Sequence, residues 1–245
     1  MSVIAHFRQE NGICIASDGV AYDDQGIIRG HVSKVLPIIE LNCLIATTGF
    51  GGFGANLRDR LAISVRNFDE LIDKTVEEMM GLQIALQALQ NEIPVNATVL
   101  LAGWSDQRER FETYKIHTRP RKITNGVTGE MTVSEPWTVI PTTQFWCSNA
   151  IPEELFKEVC GDNIPPLDQL AQVVCLSRQM SGEISTDPQN DGTPYAAGGF
   201  LQYTWIDRKK IITWIAHRWP EDEIGKPLNP KLGVLAPPMP IQWPG

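Results

Sequence analysis

The chain has 245 residues, 42% of them hydrophobic, and a formal net charge of −8 at pH 7. Its 21 basic residues are scattered among 29 acidic ones, and only Arg208-Lys209-Lys210 forms a run. That balance excludes the basic patch that nucleic acid or an anionic membrane surface needs. No segment reaches the ~18 apolar residues of a membrane span, and His6, Arg8, Gln9 and Glu10 interrupt the N-terminus too soon for a secretory signal, so a cytoplasmic protein is expected.

Residues 2–9 and 12–18 are short apolar-rich runs around Glu10-Asn11-Gly12. Asn-Gly between strands predicts a tight hairpin whose turn residues both take positive φ. Residues 27–38 and 43–48 read as further strands, with a turn at Leu41-Asn42. The period then changes. Leu57, Leu61, Val65 and Phe68 recur at helical spacing behind a glycine cluster. A second helix is predicted from about Leu71 to Glu92, with Val76, Met80, Ile84 and Ala88 on one face and Pro94 as its stop.

Strands return at 97–104 and 110–117; residues 119–137 read as loop plus a weak strand, and 138–148 as extended chain. Pro152-Glu153-Glu154 makes a good first helical turn, proline needing no N–H there and the acids facing the positive dipole end. Helices are expected near 152–160 and 167–181, and a polar loop at 183–196. Two strands, 199–206 and 210–218, meet at Asp207-Arg208. Beyond Pro220 the prolines 227, 230, 237, 238, 240 and 244 predict an extended tail. Helices come in pairs and strands in hairpins, which is no βαβ alternation. The pattern predicts an α+β fold of antiparallel sheets covered by helix pairs in layers. One domain, 1–220, and a Pro-rich tail, 221–245, are expected.

Five cysteines, Cys14, Cys43, Cys147, Cys160 and Cys175, are widely spaced and mostly in apolar stretches, as befits buried free thiols. His6, His31, His117 and His217 show no metal-ligand spacing. Gly49-Phe50-Gly51-Gly52-Phe53-Gly54 fits G-x-G-x-x-G, but a dinucleotide-binding turn needs a parallel strand after its helix, and here a second helix follows. No cofactor or metal is expected.

The N-terminus carries the chemistry. Ser2 follows an initiator Met, with Asp18 and Lys34 at successive steps of sixteen residues. Removal of Met1 gives a serine with both a hydroxyl and a free α-amine. Such an amine titrates near pH ~8 and can act as a general base without a histidine.

The run Gly12-Ile13-Cys14-Ile15-Ala16-Ser17-Asp18-Gly19 resembles the start of proteasome β-type subunits and of the bacterial protease HslV. So do the spacing to Val32-Ser33-Lys34-Val35, the later Thr47-Thr48-Gly49, the stretch Ala102-Gly103-Trp104-Ser105-Asp106 and the Gly198-Gly199 pair. The resemblance spans about 215 residues in element order and is specific in the first 50. It implies the N-terminal nucleophile hydrolase family, with a four-layer αββα sandwich, a peptide or small amide substrate, and assembly as a homo-oligomer, often a ring. It assigns the nucleophile to Ser2, the lysine beside it to Lys34, the aspartate holding that lysine to Asp18, the oxyanion N–H to Gly49 and a supporting serine to Ser148. Where the family carries a serine before the Gly-Gly pair, and an aspartate three residues earlier, this chain has Ala197 and Pro194, with Asp191 nearby. Two other readings stay open: a non-catalytic proteasome-type subunit, and a small-molecule amide acylase of the same superfamily. Val32 and Thr47 are, by the same analogy, walls of the pocket before the scissile bond.

Overall fold

The computed structural model describes residues 2–23, 25–89, 95–124, 131–148, 154, 157, 166–179 and 197–228. In chain order the strands are β1 (Ile4–Gln9), β2 (Gly12–Asp18), β3 (Val20–Tyr22), β4 (Ile28–His31), β5 (Val35–Ile38) and β6 (Cys43–Gly49). Helices α1 (Phe53–Ser64) and α2 (Phe68–Leu89) follow. Then come β7 (Ala97–Ser105), β8 (Arg110–His117), β9 (Arg121–Thr124), β10 (Met131–Ser134), β11 (Ile140–Pro141) and β12 (Phe145–Cys147). Helix α3 (Pro166–Gln179) precedes β13 (Phe200–Ile206) and β14 (Ile211–Arg218). The class is α+β with antiparallel sheets. Chain contacts divide it into two units, Met1–Val35 with Gln144–Gly245, and Leu36–Thr143. The expected helix at 152–160, including Pro152-Glu153-Glu154, lies outside the described residues except for helical Glu154 and Lys157. The loop at 183–196, Pro94, Cys160 and the tail beyond Leu228 also lie outside them.

The first unit holds a five-stranded sheet in the order β12-β1-β2-β13-β14, with β3 and β4 as a separate hairpin. Cys14 and Ala16 of β2 and Leu201, Tyr203 and Trp205 of β13 face Leu170, Ala171, Val173 and Val174 of α3 in one core. The alternate residues Ile4, Ile13, Ile15 and Ile206 are also buried, so both faces of the sheet are covered. The β1–β2 hairpin differs from expectation. Gln9 pairs with Gly12, so the loop is Glu10-Asn11, and neither residue takes positive φ. Gly12 is a strand residue instead, because a Cβ there would stand 2.7 Å from Cη2 of Trp205.

The strand expected at 27–38 is two strands, β4 and β5, in different sheets. Val32-Ser33-Lys34 forms the break between them. Residues 221–228 turn back along β4: Ile27 bridges Pro227, and the Leu228 N–H donates to the Gly26 carbonyl.

The second unit holds a five-stranded sheet, β11-β8-β7-β6-β5, and the hairpin β9–β10 where the sequence reads as loop with a weak strand. Cys43 and Ile45 of β6, Val99 and Leu101 of β7 and Ile116 of β8 pack on Phe53, Leu57 and Leu61 of α1 and Phe68, Leu71, Met79 and Leu82 of α2. Phe68 does not continue α1. Asn67 accepts the Glu70 N–H on its side chain at 2.9 Å and starts a new helix, an N-cap that helical spacing alone passes over. The α2 face also differs from expectation: Met79 and Leu82 are buried, while Met80 and Ile84 are exposed. No parallel strand follows the glycine cluster, since β6 pairs antiparallel with β7 and α1 leads into α2. Among the described residues no helix is long and apolar enough to cross a membrane. Cys14, Cys43 and Cys175 are buried free thiols and Cys147 is half-buried.

One buried polar cluster fixes the β7–β8 turn to α2. Asp69 accepts from Ser105 Oγ at 2.7 Å and from Arg108 at 2.7 Å. Glu112 accepts from Arg108 at 2.7 Å, Arg110 at 2.8 Å and the Tyr114 hydroxyl at 2.7 Å. Burial raises the Glu112 carboxyl, but these three donors outweigh it and hold the group below the usual glutamate range. A depressed folded-state pKa adds stability above the ordinary glutamate value and loses it as pH falls through the folded value. Glu112→Gln is therefore expected to lower stability at pH 7 by about 1–3 kcal/mol and to flatten the acid limb of stability against pH, as urea unfolding across pH 3–7 would measure.

Candidate functional site

Four of the five expected site residues meet in the first unit. The fifth, Gly49, ends β6 in the second unit with φ 101°. The meeting point is the Asp18 carboxylate, fully buried at the end of β2. The β1–β2 pairing carries this strand end back beside the first residues of the chain, and the Asp18 N–H donates to the Val3 carbonyl at 3.3 Å. Asp18 Oδ1 accepts the Val3 N–H at 2.9 Å. Oδ2 accepts from Lys34 Nζ at 2.6 Å, from the Gly198 N–H at 3.2 Å and from the Val20 N–H at 3.3 Å. Three peptide N–H groups and one ammonium thus surround a single carboxylate, which suits its ionised form.

Lys34 reaches Asp18 from the break between β4 and β5 and is only 6% exposed. Burial pushes its ammonium below the ordinary lysine range, and the Asp18 carboxylate works against that shift. The preceding Ser33 is held too, its hydroxyl donating to the Val35 carbonyl at 2.8 Å and accepting from Gln202 Nε2 at 2.9 Å. The backbone around Lys34 is thereby fixed from β13.

Ser2 is half-buried and its backbone is gripped on both sides. After it, the Val3 N–H is bound by Asp18. Its own carbonyl accepts from the Ser148 hydroxyl at 3.4 Å, and Ser148 Oγ accepts the Ile4 N–H at 2.9 Å. Ser148 follows β12, the strand paired with β1, and its N–H donates to the Ile4 carbonyl at 2.8 Å. The expected supporting serine therefore braces the backbone that presents Ser2.

His6 and His117 do not compete for the role of base. Burial, with Arg8 nearby, holds His6 down to about 3. Burial, with Lys115 and Arg121, holds His117 down to about 4, where its Nδ1 is bonded to Thr98 Oγ1 at 2.9 Å. A base effective at neutral pH needs a higher value.

Ala197 is buried, and its carbonyl accepts from Arg178 at 2.9 Å. Pro194 and Asp191 lie outside the described residues. Sequence reading passes over the two remote N–H donors to Asp18, from Val3 and Gly198, because a backbone group has no residue type to read. It also passes over Arg178 and Asp222, each an ordinary charged residue in the chain.

Compared with protein-family models and with curated proteins, the chain matches none.

The donor set orders two substitutions. Lys34→Met leaves Asp18 its three N–H donors, whereas Asp18→Ala strands a buried ammonium and several peptide donors. Asp18→Ala is expected to lose about 3–5 kcal/mol and Lys34→Met clearly less, read as the shift in urea midpoint at constant m-value.

Proposed function

We propose that the protein is an N-terminal nucleophile amide hydrolase acting on peptides or small amides. The observation that carries the reading is the double grip of Asp18. One buried carboxylate holds both the Lys34 ammonium and the peptide N–H that follows Ser2. A salt bridge placed only for stability has little to gain from burial, since desolvation offsets most of the attraction. A cation held on the carboxylate that also grips the peptide after Ser2 has a chemical use in this reading: it favours the alkoxide-like state and lowers the proton affinity of the amine.

In this reading Met1 is removed and the Ser2 amine takes the hydroxyl proton, directly or through one water. Ser2 Oγ attacks the amide carbonyl, and the leaving amine departs with that proton. Water then hydrolyses the acyl-enzyme by the same base. Lys34 and Asp18 tune the amine, and Ser148 holds the backbone. By the resemblance, the oxyanion donor is the Gly49 N–H, a role typically worth ~3 kcal/mol. The reading carries the four-layer αββα sandwich with it. In its support, the five-stranded sheet of each unit packs one face on helix, α3 in the first unit and α1 with α2 in the second. Assembly as a homo-oligomer belongs to the same reading.

A specific observation favours a second reading, a non-catalytic subunit. The Ala197 position offers no hydroxyl to the amine, and its carbonyl is already engaged by Arg178. Intact mass after incubation with a peptide epoxyketone separates the readings, because that warhead needs both the hydroxyl and the free amine. A Met-less chain carrying one inhibitor on Ser2 is expected. A Met-retaining, unmodified chain points to the non-catalytic subunit, and a Met-less, unmodified one to an acylase. In a hydrolysis assay Ser2→Ala should abolish turnover and Lys34→Ala nearly so; full activity in either overturns the proposal.

A further inference from the structure

A second buried ion pair lies one residue from the first. Arg178, in the last turn of α3, is 3% exposed and Asp222 is 1% exposed. They meet through a two-point fork, Nη1 to Oδ2 at 2.7 Å and Nη2 to Oδ1 at 3.0 Å. Glu221 adds a third contact to Nη2 at 3.1 Å. The Trp219 ring lies 4.7 Å from the guanidinium, closing it off from solvent. This pair grips the Ala197-Gly198-Gly199 backbone. Arg178 Nη1 donates to the Ala197 carbonyl at 2.9 Å, and the Gly199 N–H donates to Asp222 Oδ2 at 2.6 Å.

Gly198 is the link between the pairs. Its N–H is a donor to Asp18, and its carbonyl accepts the Gly19 N–H at 2.9 Å. A Cβ at 198 would stand 2.8 Å from Arg178 Nη1, so the close approach requires glycine. Two adjacent peptide N–H groups therefore serve two different buried carboxylates, Gly198 that of Asp18 and Gly199 that of Asp222.

We propose that Arg178 and Asp222 are positioning residues for the Asp18–Lys34 pair, acting through the Gly198-Gly199 peptide. The guanidinium fork fixes the dipeptide as a rigid donor, and the dipeptide fixes the carboxylate that holds the lysine. A lysine at position 178 keeps the charge and loses the planar two-point geometry. Loosening the fork withdraws the Gly198 N–H from Asp18. The carboxylate then has one donor fewer and draws more strongly on the Lys34 ammonium. Asp18 is the charged group in contact with Lys34, so a change in its donors is felt there first. Only the effect on turnover rests on the proposed Ser2 chemistry; the effect on Lys34 stands on the geometry alone.

The test is competitive amine labelling of Lys34 against pH, read by peptide mass spectrometry on the full chain. Arg178→Lys, Asp222→Glu and Glu221→Asp, which keep every charge and disturb the fork, are compared with the parent. Glu221 is the mildest site, at 24% exposure, and keeps the test open where the two core variants do not fold. Glu112→Gln serves as a control that destabilises the chain without touching Gly198. The midpoint for Lys34 is expected to move upward in every folded variant at 178, 222 and 221, least for Glu221→Asp, and to stay put in the control. An unmoved midpoint in the folded variants, or an equal shift in the control, overturns the proposal. Turnover is measured alongside: kcat is expected to fall on the order of tenfold or more with KM little changed, as displacement of a catalytic group does. If the parent shows no turnover while the midpoint still moves, the Ser2 reading fails and the positioning role stands.

Discussion

The structure of the first unit turns on one carboxylate that cannot be left alone. An ionised group out of water is costly, and it persists only when its lone pairs are filled. Asp18 fills them from four places: the chain's third residue, the start of β3 at Val20, the break at Lys34 and the glycine at 198. Each donor fixes a segment that the local sequence leaves free. The first residues of the chain, which in most proteins fray, are held because Val3 is both buried core and a ligand of that carboxylate.

Two of the buried acid clusters among the described residues differ in what they hold. Around Asp69 and Glu112 the partners are arginines whose side chains run out to solvent, and the result is a pinned turn. Arg108 and Arg110 are 37% and 66% exposed there, so solvation of the cations offsets much of the desolvation cost. Around Asp18 the partner is a lysine with its ammonium drawn inside. That is the more expensive arrangement, and the one that leaves a titratable amine in a defined place.

Much of this was legible in the sequence. The resemblance groups Ser2, Asp18, Lys34 and Ser148, although the break that brings Lys34 to Asp18 falls inside what reads as one strand, 27–38; the apolar runs around them are plain to read. The strands of both large sheets stand close to their expected positions for the same reason. Legibility failed where one residue changes the outcome. Asn67 divides what helical spacing alone runs together, since a cap works through a side-chain oxygen and not through periodicity. On α2 the choice of buried face between Met79 and Met80 depends on what packs there, and both lie on apolar stripes. Arg178 and Asp222 are 44 residues apart and give no local signal at all.

The last donor to Asp18 comes from 180 residues further along the chain. During synthesis the N-terminal hairpin, Val20 and Lys34 emerge early, but β2 keeps one edge open until β13 pairs with it, Leu201 opposite Asp18. The carboxylate therefore completes its shell only once synthesis has passed Gly198. Domains fold largely as units as they emerge, so the β1–β2 hairpin waits for the distant strand β13. A chain stopped before Gly198 holds the Lys34 ammonium against a carboxylate one donor short, so the order of synthesis is written into the shell of Asp18.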